Sequence, residues 1–184
     1  MNLKIVLIAA IIVTSSLAHY SAHAQTSIYN YSVTTTSGQV YSLGYWQGKK
    51  IMIVVMTSTQ SSTDTAILAR INSIALAHAG TLRVIVVPSY EDGYTNNQQN
   101  TLLSWYASSL DSSIIISRAL YTHKSSGAQQ DSMFKWLTHA TLNVHFDDEI
   151  LDGGTMFFVD EAGSLYAIFG SQMMFSNKVL TKVL

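Results

Sequence analysis

The sequence predicts an α/β domain: a mixed, mainly parallel β-sheet flanked by helices. Three observations carry this. Residues 51–56 are a continuous apolar run, as expected of a strand buried on both faces, and 82–87 read as a second buried strand. Between them, residues 62–79 carry Ile67, Leu68, Ile71, Ile74 and Leu76 near helical spacing. Towards the end, residues 155–159 and 164–169 read as two strands joined by Asp160-Glu161-Ala162-Gly163, a turn-forming tetrapeptide.

The elements follow in order. Lys4, the mostly apolar stretch 5–18 and Ala22-His23-Ala24 read as a secretory signal peptide over residues 1–24. The apolar stretch is about 14 residues, shorter than the roughly 20 that span a bilayer. The mature chain is expected to start at Gln25 and to be periplasmic or secreted. Residues 25–184 then form one domain, with no later apolar run to hold it in a membrane.

Residues 27–43 alternate around Gly38 and predict a β-hairpin. The strand 51–56 leads to the helix 62–79, with Gly80 as its expected C-cap. The strand 82–87 ends at Pro88, the only proline. Residues 91–100 are polar and turn-rich. A helix at 101–110, a short strand at 113–117 and a helix at 129–139 follow, the last bearing Met133, Phe134, Trp136 and Leu137. After the terminal hairpin, 176–183 closes the chain as a short helix. No repeat, linker or second domain is visible.

Composition narrows the function. Of 184 residues, 48% are hydrophobic and 11% charged, with formal net charge -1. Nucleic-acid binding is excluded as a class, since it needs clustered Lys and Arg against phosphates. A disordered chain would be apolar-poor and charge-rich. Cysteine is absent. Disulfides, thiolate metal sites and thiol nucleophiles are therefore all excluded.

Three stretches resemble the glutathione-peroxidase family. Ser27-Ile28-Tyr29-Asn30-Tyr31 through Gly38, Ser42-Leu43 and Gly48-Lys49 to Thr57-Ser58 is similar to that family's opening hairpin and first core strand. Val87-Pro88 is similar to the end of its next strand. Phe134-Lys135-Trp136-Leu137, His145-Phe146, Ile150 and Phe157-Phe158-Val159-Asp160 resemble its last helix and hairpin. The resemblance implies a thioredoxin-like mixed sheet flanked by helices, with an N-terminal β-hairpin, over nearly all of residues 25–184.

It also implies where redox residues would lie. The family's cysteine or selenocysteine falls on Gln60, flanked by Thr59 and Ser61. Its glutamine falls on Glu91, and its Trp-Asn pair on Asp152 and Gly153. The whole tetrad is replaced. A carboxamide is neither ionisable nor usefully nucleophilic, so Gln60 cannot attack a peroxide O–O bond as a thiolate does. Glu91 and Asp152 put anions where neutral donors are implied, which would raise the pKa of a restored thiol. Gln60, Glu91, Asp152 and Gly153 are thus expected to converge as a relic site at one end of the sheet.

Other constellations have plainer readings. Thr57, Ser58, Thr59, Ser61, Ser62 and Thr63 form a hydroxyl-rich loop that would suit a polar ligand or anion at a helix start, but N-capping accounts for it. His145, Asp147, Asp148 and Glu149 offer metal-type donors, yet read more simply as a solvated acidic loop. His123 and His139 stand isolated. Trp46, Trp105 and Trp136 read as packing residues. Tyr90, Tyr94 and residues 96–100 form an aromatic and amide loop that reads as an ordinary polar loop, with protein or glycan contact as the alternative.

The expectation is an exported glutathione-peroxidase-like protein without thiol peroxidase activity, a pseudoenzyme. It would bind an unidentified protein or small polar ligand through the former active-site face, without a cofactor. The alternatives are an enzyme with acid–base or metal-assisted chemistry at Glu91 and Asp152, or an oxidative-stress peroxidase by ancestry alone.

Overall fold

The computed structural model describes residues 26–56, 58–95 and 99–184. The expected signal peptide and cleavage site lie outside these residues, as do Thr57 and residues 96–98. The elements are β1 (Ser32–Thr34), β2 (Val40–Ser42), β3 (Lys50–Met56), α1 (Ser62–Ala77), β4 (Leu82–Pro88), α2 (Gln99–Ser109), β5 (Ile115–Ile116), α3 (Ser132–Thr138), α4 (Ala140–Asn143), β6 (Met156–Val159), β7 (Leu165–Phe169) and α5 (Asn177–Val183).

Five strands make one mixed sheet in the order β5-β4-β3-β6-β7. β3 pairs in parallel with β4 from Lys50↔Leu82 to Met56↔Pro88, and β4 with β5 at Ile85↔Ile115. β6 runs antiparallel to both β3 and β7. β1 and β2 form a separate antiparallel ladder.

The apolar run in β3 is two alternating faces, both covered. Met52, Val54 and Met56 join a core with Ile67, Leu68 and Ile71 of α1 and with Tyr106 of α2. Ile51, Ile53 and Val55 join a second core with Phe134, Trp136 and Leu137 of α3. Side chains of a strand alternate between faces, so burial on both faces removes the polar half of the usual pattern.

Element ends depart from expectation for identifiable reasons. The hairpin is shorter than 27–43: Ile28–Asn30 and Leu43–Trp46 are short 3-10 turns. Ile28 and Leu43 are fully buried in the α3 core, and the N–H of Ile28 donates to Gly163 O at 3.1 Å. Docking onto the terminal hairpin thus draws these ends out of the β1–β2 ladder. Gly38 occupies the turn at φ +84°, a left-handed conformation that glycine adopts freely.

Gly80 is not the C-cap of α1. His78 is, and the N–H groups of Thr81 and Leu82 satisfy its carbonyl at 3.0 and 2.9 Å. The following turn does the work expected of a left-handed glycine. α3 starts at Ser132, later than 129, because Asp131 caps it by accepting from the N–H of Met133 at 2.9 Å. The short helix α4 has no clear sequence signal, being four residues without an apolar period.

Candidate functional site

The parallel strands β3 and β4 end together, and the loops that follow them are tied to each other. The N–H of Ser58 donates to Asp92 O at 3.3 Å and its hydroxyl to the same oxygen at 3.0 Å. Gly93 lies so close that a Cβ there would stand 2.8 Å from Ser58 Oγ. On the other side of β3, the N–H of Val55 donates to Thr155 O at 3.0 Å and the N–H of Gly154 to Val55 O at 2.6 Å. The segments holding Gln60, Glu91 and Asp152-Gly153 therefore meet the sheet at one end, the carboxyl end of its parallel strands. Open α/β sheets bind ligands outside that end.

The side chains there do not act on one another. Gln60 is exposed and lies at φ +53°, left-handed backbone that a residue with a Cβ rarely adopts. It forms the corner between β3 and α1. Ser61 caps α1 by accepting from the N–H of Asp64 at 3.1 Å, and Asp64 accepts from the N–H of Ser61 at 3.0 Å. The Thr59 hydroxyl donates to the same carboxylate. The hydroxyl-rich loop is thus engaged in a capping box.

Glu91 turns away from Gln60 towards residues 122–126. Its carboxylate accepts from Ser89 Oγ at 3.0 Å, the N–H of Thr122 at 3.1 Å, the N–H of His123 at 3.3 Å and the Ser126 hydroxyl. Burial alone would raise its pKa. The bonds from Ser126, Thr122 and Ser89 outweigh burial and hold it below the ordinary carboxylate range. A carboxylate so ionised and so fully bonded is a structural anchor.

Asp152 is likewise occupied. It accepts from Thr155 Oγ1 at 2.9 Å and Ser171 Oγ at 2.9 Å. Gly154 beside it has φ +93°, and a Cβ there would come within 2.7 Å of Ser171 Cβ. The backbone entering β6 thus packs tightly on the 3-10 turn Ser171–Phe175.

The acidic loop 145–149 is spread over separate partners. Asp147 accepts from Lys124 Nζ at 2.7 Å, which holds its carboxyl below the usual range. Glu149 accepts from the N–H groups of Lys124 and Ser125 at 2.9 and 3.2 Å. The His145 ring sits against Phe146. Among the described residues, no group of three or more His, Cys, Asp or Glu is placed to hold a metal ion.

His123 is not isolated, contrary to the sequence reading. Its Nε2 lies 3.2 Å from Asp92 Oδ2, with both side chains largely buried. This pair closes the loop after β4 onto residues 122–126, alongside Glu91. Sequence could not show it, since the partners are 31 positions apart. His139 does pack locally, with Nδ1 3.0 Å from both Thr138 Oγ1 and Lys135 O. Tyr90 contacts Tyr94 edge-on at 5.4 Å and Tyr121 at 4.7 Å. Tyr121 was not foreseen as part of this aromatic group.

No family model matches the sequence, and no curated protein matches it. Solved structures do match. The glutathione peroxidase GPX1 of T. cruzi superposes with a TM-score of 0.62 at 15% identity, covering 86% of this chain and 94% of that one. A thioredoxin-like protein from Aeropyrum pernix gives 0.55 at 12% identity, covering 84% and 89%. The thioredoxin domain of a thiol-disulfide oxidoreductase from Bacteroides vulgatus gives 0.53 at 12% identity, covering 84% and 93%. The fold is therefore thioredoxin-like, in a form similar to a glutathione peroxidase, on a chain without cysteine.

Proposed function

We propose that this chain is an exported, divergent relative of the glutathione peroxidases that has no thiol peroxidase activity and serves as a binding or scaffold protein. The face it uses is the carboxyl end of β3 and β4, where Gln60, Glu91 and Asp152-Gly153 replace the redox tetrad. One observation carries the loss of activity: a thioredoxin-like fold built without a single cysteine. The peroxidase cycle oxidises a sulfur or selenium and reduces it again with a thiol. Nothing in this chain does both. Export rests on Lys4, the apolar stretch and Ala22-His23-Ala24.

Acid–base chemistry by Glu91 with Asp152 is the poorer reading. Both carboxylates are bonded to their own separate donors, and Glu91 is held ionised, which suits neither a general acid nor a shared proton.

Restoring the tetrad tests the site assignment. Gln60→Cys alone is expected to give little turnover of hydrogen peroxide or a lipid hydroperoxide, because the neutral donors for the thiolate and the leaving oxygen are still missing. Adding Glu91→Gln, Asp152→Trp and Gly153→Asn should raise that rate at least tenfold, with circular dichroism confirming that both variants fold. Equal rates in the two folded variants would remove the basis for placing the former redox site here.

A further inference from the structure

A groove of about 300 Å³ lies beside the loop after β4, lined by Tyr90, residues 118–121, Gln129 and Asp131. Its frame is firmly held. The N–H of Leu120 donates to Pro88 O at 3.0 Å, that of Tyr90 to Leu120 O at 3.1 Å, and that of Asp131 to Tyr121 O at 2.9 Å. The backbone of Arg118 is fixed in turn by its N–H on Thr34 O at 2.8 Å. Three separate segments, at Tyr90, residues 118–121 and residues 129–131, thus converge on one concavity.

Neither charge in it has a partner of opposite sign among the described residues. The Arg118 side chain is exposed and makes no hydrogen bond or ion pair among the described residues. Asp131 gives one oxygen to the N–H of Met133 and has no cationic partner among those residues. The two line the same groove without pairing with each other. A guanidinium offers a planar fork of donors that fits a carboxylate, and a carboxylate accepts from an ammonium. Tyr90 and Tyr121, 4.7 Å apart and inclined at 32°, supply an aromatic wall. Gln129 also lines the groove.

We infer that this groove binds a small zwitterion with a flat apolar side chain, an aromatic α-amino acid, with its carboxylate on Arg118 and its ammonium on Asp131. The volume stands at the lower end of ligand pockets, which run from roughly 300 to 1,000 Å³, and so admits a single residue better than a longer peptide. Unlike a lone anion, a zwitterion satisfies both unpaired charges and leaves the groove neutral. The assignment goes beyond the proposed function and does not depend on export or on the lost redox residues.

Calorimetric titration with L-phenylalanine, N-acetyl-L-phenylalanine, L-phenylalanine amide and L-alanine tests it. Free L-phenylalanine is expected to bind saturably, and each of the other three at least tenfold more weakly. Arg118→Gln and Asp131→Asn should each weaken L-phenylalanine at least tenfold; asparagine still caps α3, so the second variant removes charge without removing the cap. On the wild-type protein, amide shifts induced by L-phenylalanine should centre on residues 90, 118–121 and 129–131, a readout that needs no folded variant. Absence of saturable binding, N-acetyl-L-phenylalanine binding as tightly as the free amino acid, or shifts centred elsewhere would each overturn the assignment.

Discussion

Glu91 stands where the family resemblance implies a neutral amide, and the structure gives its charge four donors. Charge-assisted hydrogen bonds contribute about 1.5–3 kcal/mol each when a partner is removed. Glu91→Gln should therefore destabilise the fold by about 1–3 kcal/mol at neutral pH. The sign of the pH dependence follows from linkage. The folded-state pKa lies below the unfolded one, so the ionised group stabilises above the ordinary glutamate range and that contribution is lost as pH falls through the lowered folded value. Urea midpoints should separate wild type from Glu91→Gln at pH 7 and converge in acid. A gap that persists or widens towards low pH would contradict the reading. The position of Glu91 was legible in the sequence, three residues after Pro88; its partners were not. Ser126 lies 35 positions away and Thr122 31 positions away, so only the tertiary fold reveals that this carboxylate is an anchor. The same holds for His123 with Asp92, and for the placing of Arg118 and Asp131 in one groove.

Among the elements, α1 shows local chemistry at work. Ser61 and Asp64 satisfy each other's free N–H groups at the helix start, and Thr59 adds a third bond to the same carboxylate. Ser61→Ala should cost about 1 kcal/mol, the usual effect of losing an N-cap, and thermal denaturation would read it as a lowered midpoint. An unchanged midpoint would show that the cap is redundant here. This element was legible because its signals are short-range: hydroxyl residues suited to N-capping before the apolar period, and buried strands on either side of it. Element ends were less so. Gly80 carried the sequence signal for a C-cap, but the 78–82 turn closes the helix without left-handed backbone. Ile28 and Leu43 fit strand alternation, yet their burial against the α3 core sets 3-10 turns instead. In the second case a contact distant in sequence overrides a local preference.

On the scale of the whole molecule, a five-stranded mixed sheet with a helix-covered face on each side was legible from the order of elements. Parallel strands joined through a helix and a terminal antiparallel hairpin leave few other topologies. The proposed export rests on the first 24 residues. The mature native protein should begin at Gln25, and intact mass of material isolated without heterologous signal sequences decides this; a soluble cytosolic form retaining Met1 would refute export. Among the described residues, no helix is long and apolar enough to cross a membrane.

The proposed function requires a glutathione-peroxidase-like scaffold that carries out no peroxidase chemistry. Its methionines can be oxidised by peroxide, but thiols do not rapidly recycle the sulfoxide without a dedicated reductase. The most direct measurement is steady-state reduction of hydrogen peroxide and of a lipid hydroperoxide by metal-free, wild-type protein, with glutathione and then thioredoxin as electron donor. The expected rate equals that of a heat-inactivated control for every combination; sustained turnover above that control would contradict the claim.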